Sequence, residues 1–408
     1  MTGAREQAEQ LFGEFGRGRP DGVWSAPGRA NLIGEHTDYN EGFVLPFAIE
    51  HRTYAAVGIR ADRTLRVIST LDRQPFALSL DALAATFDGP AGHAVAEGTV
   101  PEWAAYPLGV AWAAYPLGVA WAALAATGRP AAEVAGLDIA LASDVPVGAG
   151  LSSSAAIEGA TASALNDLWE LGLDGLSIAK IGRTAENEAV GAPTGIMDQV
   201  SSTLGRLDAA TFLDCRTLET ASVDLGFTAT GLALLVIDTR VKHAHSTGGY
   251  RERRASCEKG AAEMGVPSLR DLSVADLPRA EEALDDVTFR RVRHIVTENQ
   301  RVLDTVEALR AAGPLAIGEL LVASHASMRD DFEISVAELD TAVDAALGAG
   351  ALGARMTGGG FGGAAIALVE ADSLDVVSRA VEEAFAERGF TAPHTFTVTP
   401  SEGARRDV

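Results

Sequence analysis

The stretch "GLDIALASDVPVGAGLSSSAA", Gly136 to Ala156, constrains this chain more than any other. Its apolar run reads as a buried strand and its glycines as a tight turn. Ser153 to Leu171 is Ala-rich, with apolar spacing near 3.6, and reads as the helix that follows. A strand that passes through glycines into a helix aims free N–H groups and a positive dipole end at the turn, which suits a phosphate. The lysine that a P-loop places after its glycines is missing. Gly148, Ala149, Gly150, Leu151, Ser152, Ser153 and Ser154 therefore form a candidate phosphate cradle whose positive charge has to come from elsewhere. A plain serine cap on a helix has the same local appearance.

The rest of the chain sharpens that demand. The formal net charge is −23, which repels nucleic acid and anionic membrane, so neither is expected as a partner. With 47% hydrophobic residues in 408, the core is ample, and a prior of roughly 150 residues per domain gives two or three domains. Cys215 and Cys257 are the only cysteines, which fits a reduced cytoplasmic protein without a disulfide framework. The N-terminal "MTGAREQAEQLFGEFGRGRP" is polar and helix-like, unlike a signal peptide. Trp103 to Leu124 is uncharged and contains "WAAYPLGVA" twice in tandem, at 103–111 and 112–120. Each copy carries a Pro and a Gly, so a buried helix is expected there rather than a membrane span. Nine residues amount to a net half-turn, so a second copy cannot lengthen a helix and keep one face buried. Pro116 is expected near the helix start, with the first copy as extra turn or bulge.

Strand signals at "GFVLPFAI", "RTYAAVGIR", "TLRVIST", "LALLVIDT", "AAIALV" and "HTFTVTP" alternate with helical periodicity at 176–190, 251–263, 285–312 and 317–328, and in "ELDTAVDAALGAG" and "VVSRAVEEAFAERG". Both halves are mixed α and β, with a boundary expected near residues 203–213.

Four further stretches carry chemistry. In "APGRANLIGEHTDYNEGFVLP", Arg29, Asn31, Glu35, His36, Asp38, Tyr39 and Asn40 crowd into what reads as a polar turn broken by glycines. Glu35, His36 and Asp38 offer paired acceptors and a tunable donor, which suit the hydroxyls of a sugar. Arg29 is a fixed cation that can hold a phosphate or a neighbouring carboxylate. In "AENEAVGAPTGIMDQ", Glu186 and Asp198 can share metal binding and proton acceptance, whereas Glu188 reads as a solvated helix charge. "RMTGGGFGGAAIAL" has glycines ahead of a strand, the reverse of a Rossmann turn. "TRVKHAHSTGGYRERRASCEKG" offers Tyr250 as a substrate-facing residue; its His243 and His245 lack a nearby third metal ligand.

Taken together, "GRANLIGEHTDYNEG", "VPVGAGLSSSAA", "GAPTGIMDQ" and "TGGGFGGA" resemble, in order and across nearly the whole chain, the galactokinases of the GHMP small-molecule kinase family. The resemblance implies a two-domain α+β fold, with a ribosomal-protein-like N-terminal domain (1–205) and a ferredoxin-like C-terminal domain (206–408) around a cleft. It implies a cytoplasmic monomer that transfers the ATP γ-phosphoryl group to the C1 hydroxyl of α-D-galactose with Mg²⁺. By position, Asp198 and Arg29 match the catalytic pair, and Glu35, His36, Asp38, Gly195 and Tyr250 match sugar contacts. Gly148 to Ser154 match the ATP phosphate site, and Glu186 and a serine, Ser154 by preference, match the metal ligands. A kinase for another hexose and a sugar sensor without turnover are the rival readings. The tandem copy departs from the family pattern, which has one such segment.

Overall fold

The apolar runs pair into three sheets. The structure, a computed structural model, describes residues 3–16, 18–100, 114–146, 148–241 and 246–408. The first copy of the repeat and the pair His243 and His245 lie outside the described residues. The strands are β1 (Gly22–Asn31), β2 (Phe43–Val44), β3 (Pro46–Ile59), β4 (Thr64–Ser69), β5 (Phe76–Ser79), β6 (Leu137–Ser143), β7 (Ala209–Asp214), β8 (Thr220–Asp224), β9 (Leu232–Asp238), β10 (Gly353–Thr357), β11 (Ala364–Glu370), β12 (His394–Val398) and β13 (Arg405–Arg406). Six form a sheet in the order β13-β1-β3-β6-β4-β5, four form β10-β11-β9-β12, and three form β2-β7-β8. The pairs are antiparallel except β4 with β6. β13 lies beside Trp24 and Ser25, so the end of the chain returns to the first sheet.

The polar stretch after Ala26 is not all turn. Its first residues complete β1, which is buried at all ten positions. Polar side chains enter the core there because β1 has cover on both faces: Val23 joins the cluster under the helix Ala4–Gly13, and Trp24 and Ala26 face the opposite cluster. The β1–β3 register shifts between Pro27 and Arg29, where Pro27 opposes Arg52 but Arg29 opposes Ala48. Such an irregularity re-aims the side chain beside it; here that side chain is Arg29.

In the second sheet, β11 shows why a strand can be apolar on both faces. On β11, Ala365, Ala367 and Val369 face a cluster built from the C-terminal helices, while Ala364, Ile366 and Leu368 face the other way. That second face meets Leu32, Ile33, Leu45 and Phe47 from the first half, with Val145, Ala149 and Leu151 of the glycine turn. The seam between the sheets thus holds both the polar signature and the phosphate turn.

Helices occur where the periodicity places them, among them Ser153–Leu168, Ser246–Met264, Asp286–Ala312 and Gly318–Asp330. The expected helix at 176–190 is α-helical only over Gly175–Thr184; Ala185–Val190 is a π turn that ends at Gly191. The helix Ala114–Thr127 places Pro116 in its first described turn. A slip by one copy would put Pro116 at the position of Ala125, in the last turn of the helix, where its ring and missing N–H oppose the helical hydrogen bond. Among the described residues, no helix is long and apolar enough to cross a membrane.

Candidate active site

Arg29 leaves the β1 irregularity pointing at Asp198, which stands in the first turn of the helix Met197–Leu204. The pair is bidentate, Nε to Oδ1 at 2.7 Å and Nη2 to Oδ2 at 2.8 Å. The remaining Nη1 donates to the Gly150 carbonyl at 2.6 Å, which ties the same guanidinium to the phosphate turn. That turn is pressed onto β1. The Arg29 N–H donates to the Leu151 carbonyl at 3.0 Å, and a Cβ on Gly28 would lie 2.5 Å from that oxygen. Gly148, Gly150 and Ser152 are all left-handed in the turn. Ser152 Oγ donates a short hydrogen bond to Asp198 Oδ2. The Ala156 N–H takes the Ser152 carbonyl, leaving the N–H groups before it as the open end of the helix.

The turn before Asp198 is held by its own side chains. Asn187 Oδ1 accepts from the Thr194 N–H at 2.9 Å, and Thr194 Oγ1 donates to Glu186 Oε2 at 2.8 Å. Gly195 follows, and any side chain there would collide with Asp38, since a Cβ would fall 1.7 Å from its Oδ2. Asp38 is half-buried, and its Oδ1 accepts from the Tyr39 N–H at 2.9 Å. Burial, and then the Asp198 charge, push its carboxyl up to about 6.

His36 is buried and left-handed at φ 65°. Its Nε2–H donates to the Gly359 carbonyl at 3.2 Å, so Nδ1 accepts from the Tyr39 hydroxyl at 2.8 Å. The ring lies within 5.0 Å of the Tyr250 ring centre and 4.9 Å of the Phe332 ring centre. Burial pushes its pKa down to about 3, so the imidazole is neutral.

Glu35 is more deeply committed than its sequence position suggests. Its Oε2 accepts from Asn31 Nδ2 and pairs with the buried Arg355, while Oε1 accepts from Thr357 Oγ1 and the Gly358 N–H. Those four donors use the capacity of a carboxylate. Glu35 thus binds the glycine loop of the second half to the polar signature of the first.

Arg29, Glu35, His36, Asp38, Gly195, Asp198 and Tyr250 line a single cavity of about 230 Å³, with Thr194, Met197, Gly358 and Gly359. All seven came from the sequence, out of three separate stretches. Glu186 sits beyond Thr194, buried in the π turn. Burial, then the Asp198 charge, raise its pKa, and the hydroxyl of Ser154 faces it. A hard carboxylate oxygen and a hydroxyl suit Mg²⁺, which keeps water and phosphate as its other ligands. A divalent cation would also relieve the buried carboxylate, so this pair fits the ion. Glu188 is exposed, as its reading as a solvated charge expects.

Sequence reading missed Arg355, Glu158 and Gln199. Arg355 and Gln199 stood at the ends of stretches singled out for their glycines and aspartate. Glu158 left one signal, an acid on the apolar face of an Ala-rich helix, four residues after Ser154.

Known proteins share this sequence and fold. The galactokinase galactose-binding signature matches residues 10–59. The GHMP kinase N-terminal domain matches 114–206, and the GHMP kinase C-terminal domain matches 305–387. A galactokinase of Streptomyces coelicolor is 51% identical over 406 residues, covering 99% of this chain and 97% of that one. One from Streptomyces lividans is 49% identical over 380 residues, covering 92% and 89%. The crystal structure of Lactococcus lactis galactokinase complexed with galactose superposes with a TM-score of 0.86 at 30% identity, covering 98% of this chain and 99% of that one. With its two α+β halves joined at the polar seam, the chain belongs to the galactokinases of the GHMP kinase family.

Proposed function

We propose that this chain transfers the γ-phosphoryl group of ATP to the C1 hydroxyl of α-D-galactose, giving galactose 1-phosphate and ADP. The carrying observation is the convergence of Arg29, Glu35, His36, Asp38, Gly195, Asp198 and Tyr250 on one cavity beside the glycine turn. The sugar would lie between Asp38, Tyr250 and Asp198, with Gly195 leaving the space that seats Asp38. The Gly148–Ser154 turn would take the ATP phosphates on its backbone donors and helix end.

Phosphoryl transfer asks mainly for position and charge stabilisation. Arg29 fixes Asp198 by two bonds and Ser152 adds a third, which leaves Asp198 room for one more donor, the C1 hydroxyl. The hydroxyl oxygen bonds to phosphorus as the bond to the ADP oxygen breaks. In a loose transition state the attacking hydroxyl becomes acidic late, so Asp198 orients it first and takes its proton as the new bond closes. Ser154 and Glu186 would hold Mg²⁺, which when bound would supply positive charge against the ATP phosphates. Two free cysteines fit a reduced, cytoplasmic setting.

Steady-state turnover of galactose, glucose, talose and N-acetylgalactosamine with ATP and Mg²⁺ tests the proposal. Galactose is expected to be the preferred substrate. No turnover of galactose, or preference for another hexose, would refute the substrate assignment.

A further inference from the structure

Gln199 follows Asp198 on the same helix and is almost completely buried. Its Nε2 donates to Glu186 Oε2 at 2.6 Å and to Glu158 Oε2 at 2.9 Å. An amide has two N–H bonds, and both are spent on carboxylates approaching from different elements. Glu158 belongs to the Ser153 helix, one turn past Ser154 and on the same face. Glu158 Oε1 and Gln199 Oε1 are buried and find no hydrogen-bond partner.

As a device for stability this arrangement is poor, because orphaned buried oxygens cost free energy that an apolar side chain would not. As a device for position it is well made. Glu186 lies in a π turn, an irregularity frequent at functional sites. Thr194 and Gln199 hold one oxygen of Glu186 from the protein side, and Ser154 lies against the carboxylate. Glu158 in turn prevents the Gln199 amide from rotating away.

We propose that Gln199, braced by Glu158, is a positioning residue that presets the Glu186 carboxylate beside Ser154 for a divalent cation carrying nucleotide phosphates. This rests on the reading of Ser154 and Glu186 as the metal-facing pair.

The test uses the full chain and the variants Q199M, E158L, E158Q and E186Q. Calorimetry measures binding of a non-hydrolysable ATP analogue with and without Mg²⁺, and kinetics measures the Mg²⁺ needed for half-maximal turnover and the KM for galactose. Q199M should weaken the Mg²⁺-dependent part of analogue binding by about tenfold or more, in the range of outer-shell partners of metal ligands. Metal-free analogue binding and the KM for galactose should stay unchanged, and excess Mg²⁺ should restore turnover. E158L should shift the same quantity by less, and E158Q, which keeps an acceptor for the Gln199 amide, should behave as the parent. If E186Q alters the Mg²⁺ dependence and Q199M does not, the positioning role is refuted by itself. If E186Q leaves it unaltered too, the metal-facing reading falls and takes the proposal with it. Equal loss of galactose, analogue and metal binding in Q199M would also overturn it, as general damage to the site.

Discussion

Replacing Asp38 with Asn tests the electrostatics of the sugar cavity directly. The Asp38 carboxyl is pushed from 3.8 to about 6, first by burial and then by Asp198. A raised carboxyl pKa means that the folded chain holds this proton more tightly than the unfolded chain does. The contribution of Asp38 to stability is therefore most favourable below pH 4, and it declines as pH rises through about 6. The displacement corresponds to roughly 3 kcal/mol against the ionised form. Asp38 is half-buried, so access of water reduces this to ~1–2 kcal/mol. Asp38→Asn should accordingly be more stable than the parent at pH 7 by ~1–2 kcal/mol, and the gap should close towards pH 4. Activity should move the other way. The parent's kcat/KM for galactose should rise through pH 6 as Asp38 ionises and can accept from a sugar hydroxyl, and the variant should be weak and lack that limb. Urea unfolding of both proteins at pH 4.5 and 7, with kcat/KM from pH 5 to 8, reads both quantities. A variant that is equally or less stable at both pH values, or that retains the limb near pH 6, refutes the reasoning.

Asp198→Asn should keep galactose and nucleotide affinities within about tenfold while turnover falls by orders of magnitude, because the lost interaction belongs to the transition state; near-normal turnover removes Asp198 from the mechanism. His36→Ala should raise the KM for galactose more than that for ATP, since the ring packs on Tyr250 at the sugar side; equal losses would assign it to folding alone. Gly28→Ala should destabilise the fold by about 1–3 kcal/mol and weaken ATP binding before galactose binding, as its Cβ drives into Leu151 of the phosphate turn; parental ATP affinity would refute the close approach. Deleting residues 103–111 leaves one copy of the repeat and the second-copy register of the helix, so turnover should match the parent in a coupled assay; loss of turnover would give the first copy a role of its own.

The sequence carried the site residues but not their bonds. Strand–turn–helix logic placed the phosphate turn and the Ser153 helix, because both depend on neighbours a few residues away. The Arg29–Asp198 pair spans 169 residues; nothing local in either stretch announces it, and only the family resemblance set the two side by side. The same holds for Glu35. Its neighbours made it a sugar contact, whereas Arg355, far along the chain, takes up its charge in the fold. The residues alone left the three serines equivalent, and only the family resemblance favoured Ser154. In the fold a left-handed backbone turns Ser152 onto Asp198, and the helix carries Ser154 round to Glu186. β1 was hidden for another reason. Its polar residues are buried between two clusters, so strand alternation was overwritten by function.

The charges around the cavity explain the missing lysine. Among the described residues, Arg29 is the only cation lining the cavity, and Asp198 occupies two of its donors while Gly150 occupies a third. Glu35 is neutralised from behind by Arg355, and Asp38 lines the cavity with no ion pair among the described residues. A cavity with this balance has no surplus positive charge to offer, so it suits a neutral sugar and opposes a phosphorylated one. On the proposed function, the γ-phosphoryl group would be held from the other side, by the open helix end at Ser153 and a cation at Ser154 and Glu186. Once the phosphoryl group had crossed, the sugar would bear a negative charge that Asp38 and Asp198 would repel. A lysine placed after the glycines would act against that repulsion by reaching toward the transferred group. On this reading the attraction for phosphate would stay on the nucleotide side, where it would follow ADP rather than the product sugar.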